Sequence, residues 1–164
     1  MTDVAAFDAL VGALDYPMFI VTTRVGETRA GCLVGFAGQV SIHPPRFLAC
    51  LSDKHRTYRV AAQGAEHLAV QLVPERAIEL AELFGGRTGD EVDKFARVGW
   101  HEGPHGQPLL DECPGWFVGR VLDRVKLGDH VGFLLEPVAA AAGESEGGGM
   151  DFQRVRGIEA GHEA

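Results

Sequence analysis

The sequence is short of the residues that mark several functional classes. It has three cysteines in 164 residues, Cys32, Cys50 and Cys113. An odd count with no Cys-x-x-Cys pair argues against a disulfide framework and against a zinc knuckle. Free thiols suit a reducing compartment, so a cytoplasmic location is expected. Basic residues are the minority, 15 Lys and Arg against 23 Asp and Glu, for a formal net charge of −8. That balance disfavours nonspecific binding to nucleic acid or to an anionic membrane. No apolar run approaches the ~20 residues of a membrane-spanning helix. The first residues lack a basic stretch followed by an apolar core, so no secretory leader is expected.

Familiar catalytic and metal signatures are missing too. Gly85–Gly89 reads Gly-Gly-Arg-Thr-Gly and lacks the Lys-Ser/Thr ending of a phosphate-binding P-loop. His101 and His105 are four apart, but Gly103 and Pro104 between them oppose a helix, so no metal site is expected. Ser41 and His43 sit in no nucleophile elbow, which leaves hydrolase chemistry without support. No internal repeat is present.

What remains is a chain of one-domain length, able to bury roughly two thirds of its unfolded surface. Residues 3–14 place Val4, Phe7, Leu10, Val11 and Leu14 at helical spacing, predicting an amphipathic helix packed on the domain edge. Tyr16-Pro17 breaks it. Residues 18–24 and 29–36 predict two strands around a Gly26-Glu27-Thr28 turn. Glycines in the second strand suggest close approach by a ligand or another backbone. Residues 47–51 and 67–73 read as buried strands, with a short helix over 57–63 opened by Thr57 as N-cap. Pro74 starts the clearest helix, over 75–84, with Gly85-Gly86 after its end. Residues 87–106 read as a polar loop with a short helix around 91–95. Residues 116–127 and 130–139 read as paired strands around Gly128-Asp129. The stretch 140–149 reads as a small, flexible tail, and 152–155 as a last strand. The expectation is an α+β domain dominated by an antiparallel sheet. Closure into a barrel is attractive because it removes exposed edges. The division is an N-terminal helix over 1–15, the main domain over 16–157 and a polar tail over 158–164.

The glycine-rich run Gly31–Pro45 is followed by the turn Asp53-Lys54-His55-Arg56-Thr57. A side-chain-poor backbone beside a basic and hydroxyl cluster is a plausible cradle for a flat, phosphorylated ligand.

The order of these pieces resembles the flavin reductase-like, FMN-binding split-barrel family. Residues 18–24, ending near Val21-Thr22-Thr23, look like its opening strand. Cys32–Gln39 with Val40-Ser41 and Pro44-Pro45 looks like its flavin-binding segment, and Lys54–Thr57 like its phosphate-binding turn. Leu80-Ala81 with Phe84-Gly85, Lys94-Phe95, Gly106–Leu110, Gly115-Trp116 and Gly128-Asp129-His130 follow in the family order. The resemblance covers about residues 16–155. It implies an antiparallel split β-barrel with peripheral helices. It implies an oxidoreductase, an NAD(P)H:flavin reductase using FMN or FAD, with NADH or NADPH delivering hydride. It implies a homodimer with the flavin site at its interface, and a flavin-dependent monooxygenase as a candidate partner. The residues it assigns to the cofactor are Leu33, Val34, Gly35, Phe36, Ser41, Lys54, His55, Thr57, Phe84 and Gly85. Lys54 and Thr57 would hold phosphate, and Phe84 with Gly85 would cover the dimethylbenzene edge of the ring. His130 is the candidate catalytic residue, facing flavin and nicotinamide, with Asp129 shaping its turn.

The chain departs from the family pattern at Leu33, where many relatives have Thr, and at Gly35, where they have Asn or Ser. It departs again at Gly38, in place of Thr or Ser, and at Gln71, in place of Asn. Each lost side-chain bond to flavin is worth about 0.5–1.5 kcal/mol. The backbone amides of Val34, Gly35 and Phe36 remain. The departures leave room for a deazaflavin enzyme, for a flavin carrier or sensor without nicotinamide turnover, and for a cofactor-free interaction protein.

Overall fold

The computed structural model describes residues 3–144 and 148–158. The expected polar tail beyond 158 lies outside the described residues, as do 145–147 of the glycine-rich stretch and the first two residues. Helix α1 spans Val4–Gly12, with the Asp3 carboxylate accepting from the Ala6 N–H. The strands that follow are β1 (Phe19–Val25), β2 (Thr28–Val34), β3 (Ala37–Ser41) and β4 (Arg46–Ser52). Helix α2 (Arg56–Ala61), β5 (His67–Leu72) and α3 (Ile78–Gly86) come next. A small hairpin of β6 (Trp100–Glu102) and β7 (Pro108–Leu110) precedes the long pair β8 (Trp116–Lys126) and β9 (His130–Ala141). A single helical turn, α4 (Phe152–Val155), ends the described chain.

Seven strands form one antiparallel sheet in the order β2-β1-β5-β8-β9-β4-β3. Its curvature brings β2 and β4 into one interior, where Cys32 and Val34 pack with Ala49, Leu51, Phe133 and Leu135. A second cluster on the other face joins Ile20, Leu80, Phe84, Phe95, Leu110 and Met150. Successive residues of β1 feed the two cores, Ile20 one and Val21 the other, because side chains alternate across a strand. That explains why β1 reads as a continuous apolar run rather than an alternating one. The antiparallel, β-dominated fold is as expected.

Several local expectations are corrected. No residue of α1 is buried, so the helix does not pack on the domain edge; Phe7 and Leu10 are more than 60% exposed. His55, not Thr57, is the N-cap of α2, and Thr57 lies buried in the first turn. Helix α3 begins at Ile78 rather than Glu75. Pro74 bridges to Gly149 and the Glu75 N–H donates to the Gly148 carbonyl, so these backbone groups serve the C-terminal segment instead. The helix also runs through Gly85 and Gly86. Residues 152–155 are helical, not extended. Asp15 accepts from the Gln153 N–H, and the Gln153 side chain donates to Gly12 and Leu14. The loop over 87–106 conceals β6, and its short helix is a 3-10 turn at Lys94–Ala96.

Gln71, one of the departures noted above, is fully buried away from the cradle. Its carbonyl oxygen accepts from the Leu110 N–H at 2.6 Å and its amide donates to the Thr22 hydroxyl at 3.0 Å. Thr22 in turn donates to the Pro108 carbonyl. These bonds fasten β7 to the main sheet. Gln71→Leu leaves the Leu110 N–H without its acceptor, which costs about 1–3 kcal/mol. Urea unfolding checks this: the midpoint falls with the slope unchanged, and an unmoved midpoint contradicts the role.

Candidate functional site

Two adjoining cavities lie where β2 leaves the sheet. The first, of about 280 Å³, runs along Leu33, Val34, Gly35 and Phe36. Cys50 and Ser52 of β4 face it, with His55 and with His130 at the start of β9. Its other wall is Tyr16, Met18 and the C-terminal residues Phe152, Val155 and Arg156. The backbone fixes this mouth. The Phe36 carbonyl accepts from the Cys50 N–H at 2.9 Å, and Gly35 turns back on Ala37. Gly35 is required by crowding: a Cβ there would stand 2.6 Å from Tyr16 Cε2 and 3.1 Å from Met18 Sδ. Tyr16 is itself stacked on Phe152 at 4.7 Å. The close approach expected at the glycines is therefore made by the protein's own aromatic rings. Gly35 meets Tyr16, Gly31 meets Phe84, and Gly38 faces open space.

The polar end of the cavity is built by two turns. Ser52 pairs with His130 across β4 and β9, and the Asp53 N–H donates to the Asp129 carbonyl at 2.9 Å. Gly128, at φ +134°, lets the chain turn there. The Asp129 carboxylate lies 2.7 Å from His130 Nδ1. That hydrogen bond and the neighbouring imidazole hold the Asp129 carboxyl below its ordinary range. An ionised Asp129 accepts the Nδ1 proton and so orients the ring. The Phe36 ring lies 5.0 Å from His130.

The second cavity, of about 410 Å³, shares His55 and Gly85 with the first and opens along the outer edge of β2. Edge strands leave main-chain groups to be satisfied elsewhere. Here the Arg29 carbonyl accepts from Arg56 at 2.8 Å and the Gly31 carbonyl from Lys94 Nζ at 3.0 Å. Lys94 also donates to the Phe84 carbonyl and is 5% exposed. Burial pushes its ammonium below the usual lysine range, partly opposed by the Cys32 thiol.

Seven of the residues expected at the site meet at the first cavity: Leu33, Val34, Gly35, Phe36, His55, Gly85 and His130. Thr57 and Phe84 belong to the lining of the second. Phe84 is 1% exposed, its ring packed on Gly31 and edge-on to Phe95, so it is a supporting wall and not a lid. Lys54 is exposed and lines neither cavity; nor does Ser41, which sits at the far end of β3 opposite Arg46. Tyr16, Cys50, Ser52, Phe152 and Arg156 were missed. Tyr16 carried only a helix-break signal, and Phe152 reaches it across a sequence gap that no local pattern spans. Lys94-Phe95 is visible in the sequence as a motif that carries no role by itself.

The arrangement suits a flat ring. Apolar walls flank it, the backbone of residues 34–36 lies along it, and imidazole and hydroxyl groups stand at one end. The first cavity alone is just under the range of about 300–1,000 Å³ common for small-molecule sites. The second adjoins it.

A family model described as "Flavin reductase like domain" matches residues 11–158. The reductase subunit Stc3 of stachydrine N-demethylase from Rhizobium meliloti (strain 1021) is 31% identical over 115 residues, 68% of this chain. That match covers 48% of Stc3, so this chain spans about half of that protein. The FMN reductase (NADH) RutF of Klebsiella pneumoniae is 30% identical over 156 residues, covering 94% of this chain and 93% of RutF. A crystal structure of a flavin reductase domain protein from Arthrobacter sp. FB24 superposes with a TM-score of 0.80 at 23% identity. It covers 90% of this chain and 89% of that one, and bears on the fold.

Proposed function

This chain belongs to the flavin reductase-like family, and on that premise we propose that it is an NAD(P)H-dependent flavin reductase acting on FMN or FAD. The observation that carries this reading is the meeting of the Leu33–Phe36 backbone, His55, Gly85 and His130 at one apolar cavity. Flavin held there supplies the hydride acceptor. The cofactor brings the difficult chemistry, so the protein's tasks are to hold, orient and shield. Gly35 and Phe36, beyond the end of β2, offer main-chain N–H groups where many relatives offer side chains, while Tyr16, Phe36 and Phe152 wall out water. His130, oriented by Asp129, presents its second ring nitrogen at the polar end, where charge develops on reduction.

The same reading makes the protein a cytoplasmic homodimer that passes reduced flavin to a monooxygenase. Supporting the dimer, Val40 of the edge strand β3 and its flanking residues Phe36 and Ile42 are exposed, as are Val4, Phe7 and Leu10 of α1. Supporting the location, all three cysteines are free and two are buried. RutF's printed name specifies FMN and NADH, and Stc3's specifies a reductase subunit.

The test is spectroscopic. Purified protein is titrated with FMN, FAD and a deazaflavin, then mixed with NADH or NADPH. Saturable flavin binding followed by pyridine-nucleotide oxidation supports the reductase. Binding without turnover points to a carrier and defeats the proposal. In the same assay His130→Ala slows flavin reduction by about 10²-fold, more than it weakens flavin affinity. An unchanged reduction rate removes His130 from the mechanism.

A further inference from the structure

The C-terminal segment that walls the first cavity is held by unequal means along its length. Residues 148–151 are an anchor. Met150 is fully buried, its N–H donates to the Val73 carbonyl at 2.7 Å, and its carbonyl accepts from the Met18 N–H at 2.8 Å. Asp151 and Gly149 on either side form bridges to Pro17 and Pro74. Beyond Asp151 the attachment is different. Helix α4 is one turn of four residues, too short to hold its shape without outside contacts. Val155 is its one buried residue. Yet this stretch brings Phe152, Val155, Arg156 and Ile158 to the cavity.

The polar contacts of the stretch centre on Gln153. Its side-chain amide donates to the Gly12 carbonyl at 3.0 Å and to the Leu14 carbonyl at 2.7 Å. Its side-chain oxygen accepts from Arg156 at 2.7 Å, and its N–H donates to the Asp15 carboxylate at 3.0 Å. A glutamine amide has two N–H donors, and both are spent on the exit of α1. Gln153 thus clasps the segment that leads from α1 to Tyr16. Phe152 stacks on the Tyr16 ring and donates its N–H to the Tyr16 carbonyl at 2.8 Å. Arg154 adds an exposed pair with Glu75 at 3.1 Å. Helix α1 buries no residue, so the clasp joins two elements that lie largely outside the core. Segments with few buried contacts open at lower free energy than the sheet they rest on.

We propose that residues 152–158 are a cover that opens and closes over the first cavity, and that Gln153 is the positioning residue that holds it shut and so sets the rate of flavin exchange. The hinge is Asp151, where the buried anchor ends. The inference rests on the reading of that cavity as the ring site. It bears on the reaction because a reductase that hands on its flavin must release it.

Stopped-flow fluorescence gives the association and dissociation rates of FMN for the full chain and for Gln153→Ala. A cover that must open for entry and exit alike scales both rates by its open fraction and leaves their ratio alone. Gln153→Ala loses the bonds to Gly12 and Leu14 and is expected to raise both rates about tenfold, while the dissociation constant changes less than about twofold. A fixed wall behaves otherwise: dissociation alone speeds up and affinity falls by the same factor. That pattern overturns the proposal, as do unchanged rates. Hydrogen exchange on the flavin-free chain tests the cover without the ring reading. The N–H groups of Phe152 and Gln153 are expected to exchange about 10²-fold faster than those of Met18 and Met150, and Gln153→Ala speeds only the first pair. Equal protection, or a change shared by all four, overturns the cover. Should FMN not bind at all, the ring reading fails and the exchange arm alone decides. If a lowered melting temperature shows Gln153→Ala to be misfolded, Arg154→Ala, which gives up the exposed pair with Glu75, must raise both rates about twofold; unchanged rates there overturn the proposal.

Discussion

Phe84→Ala is expected to lower the unfolding free energy by about 3–5 kcal/mol, the cost of emptying a large aromatic site in a packed core. Three neighbours depend on that ring. It fills the space above Gly31, where even a Cβ would come within 2.8 Å of it, and it meets Phe95 edge-on. Lys94 stands 5.3 Å from its centroid. The carbonyl that accepts from Lys94 belongs to the backbone of the same residue. Truncation therefore removes the wall between the α3 core and the edge of β2, and Lys94 loses one side of its surroundings. The measurement is the urea midpoint and slope, with FMN affinity in parallel. A loss below about 1 kcal/mol would mean that the site collapses freely and that Phe84 is not a core support. FMN affinity lost in full at unchanged stability would instead restore Phe84 to the ring edge, as the sequence suggested.

The second large effect is at Gly35. Gly35→Val adds a branched side chain where a single Cβ already falls 2.6 Å from Tyr16. Either Tyr16 moves into the first cavity or the 34–36 backbone withdraws from it. Both outcomes close the ring site, and flavin affinity is expected to fall by about 100-fold, close to 3 kcal/mol. Gly38→Val provides the contrast, because nothing lies within 4 Å of a Cβ there. It should leave flavin affinity unchanged, although it stands three residues away in the same glycine-rich run. Equal losses at the two positions would show that the run matters for flexibility and not for the shape of the cavity.

The legible parts of this protein were those carried by local pattern. The β1–β2 hairpin around Gly26, the β8–β9 pair around Gly128-Asp129 and the antiparallel character of the sheet follow from apolar runs and turn residues. The ordered motifs also brought Leu33–Phe36, His55, Gly85 and His130 to one place. What escaped were features made by contacts distant in sequence. Residues 152–155 look like a strand until Asp15, Gly12 and Leu14 are found to hold Gln153. Gln71 looks like a displaced flavin ligand until Leu110 and Thr22 claim its amide. Lys54 looks like a phosphate ligand by position, yet its side chain is exposed and lines neither cavity, while its neighbours His55, Arg56 and Thr57 line the second. Helix α1 is legible as a helix but its packing is not, because periodicity identifies an apolar face without naming what covers it.

The central claim is that the main chain at Gly35 and Phe36 and the His130 end of the adjoining cavity hold the flavin ring. A crystal structure of the FMN complex tests it most directly. The account predicts the ring alongside residues 33–36, between Tyr16 and His130. A ring seated elsewhere, with Tyr16 and Phe152 still filling the space beside Gly35, would contradict it.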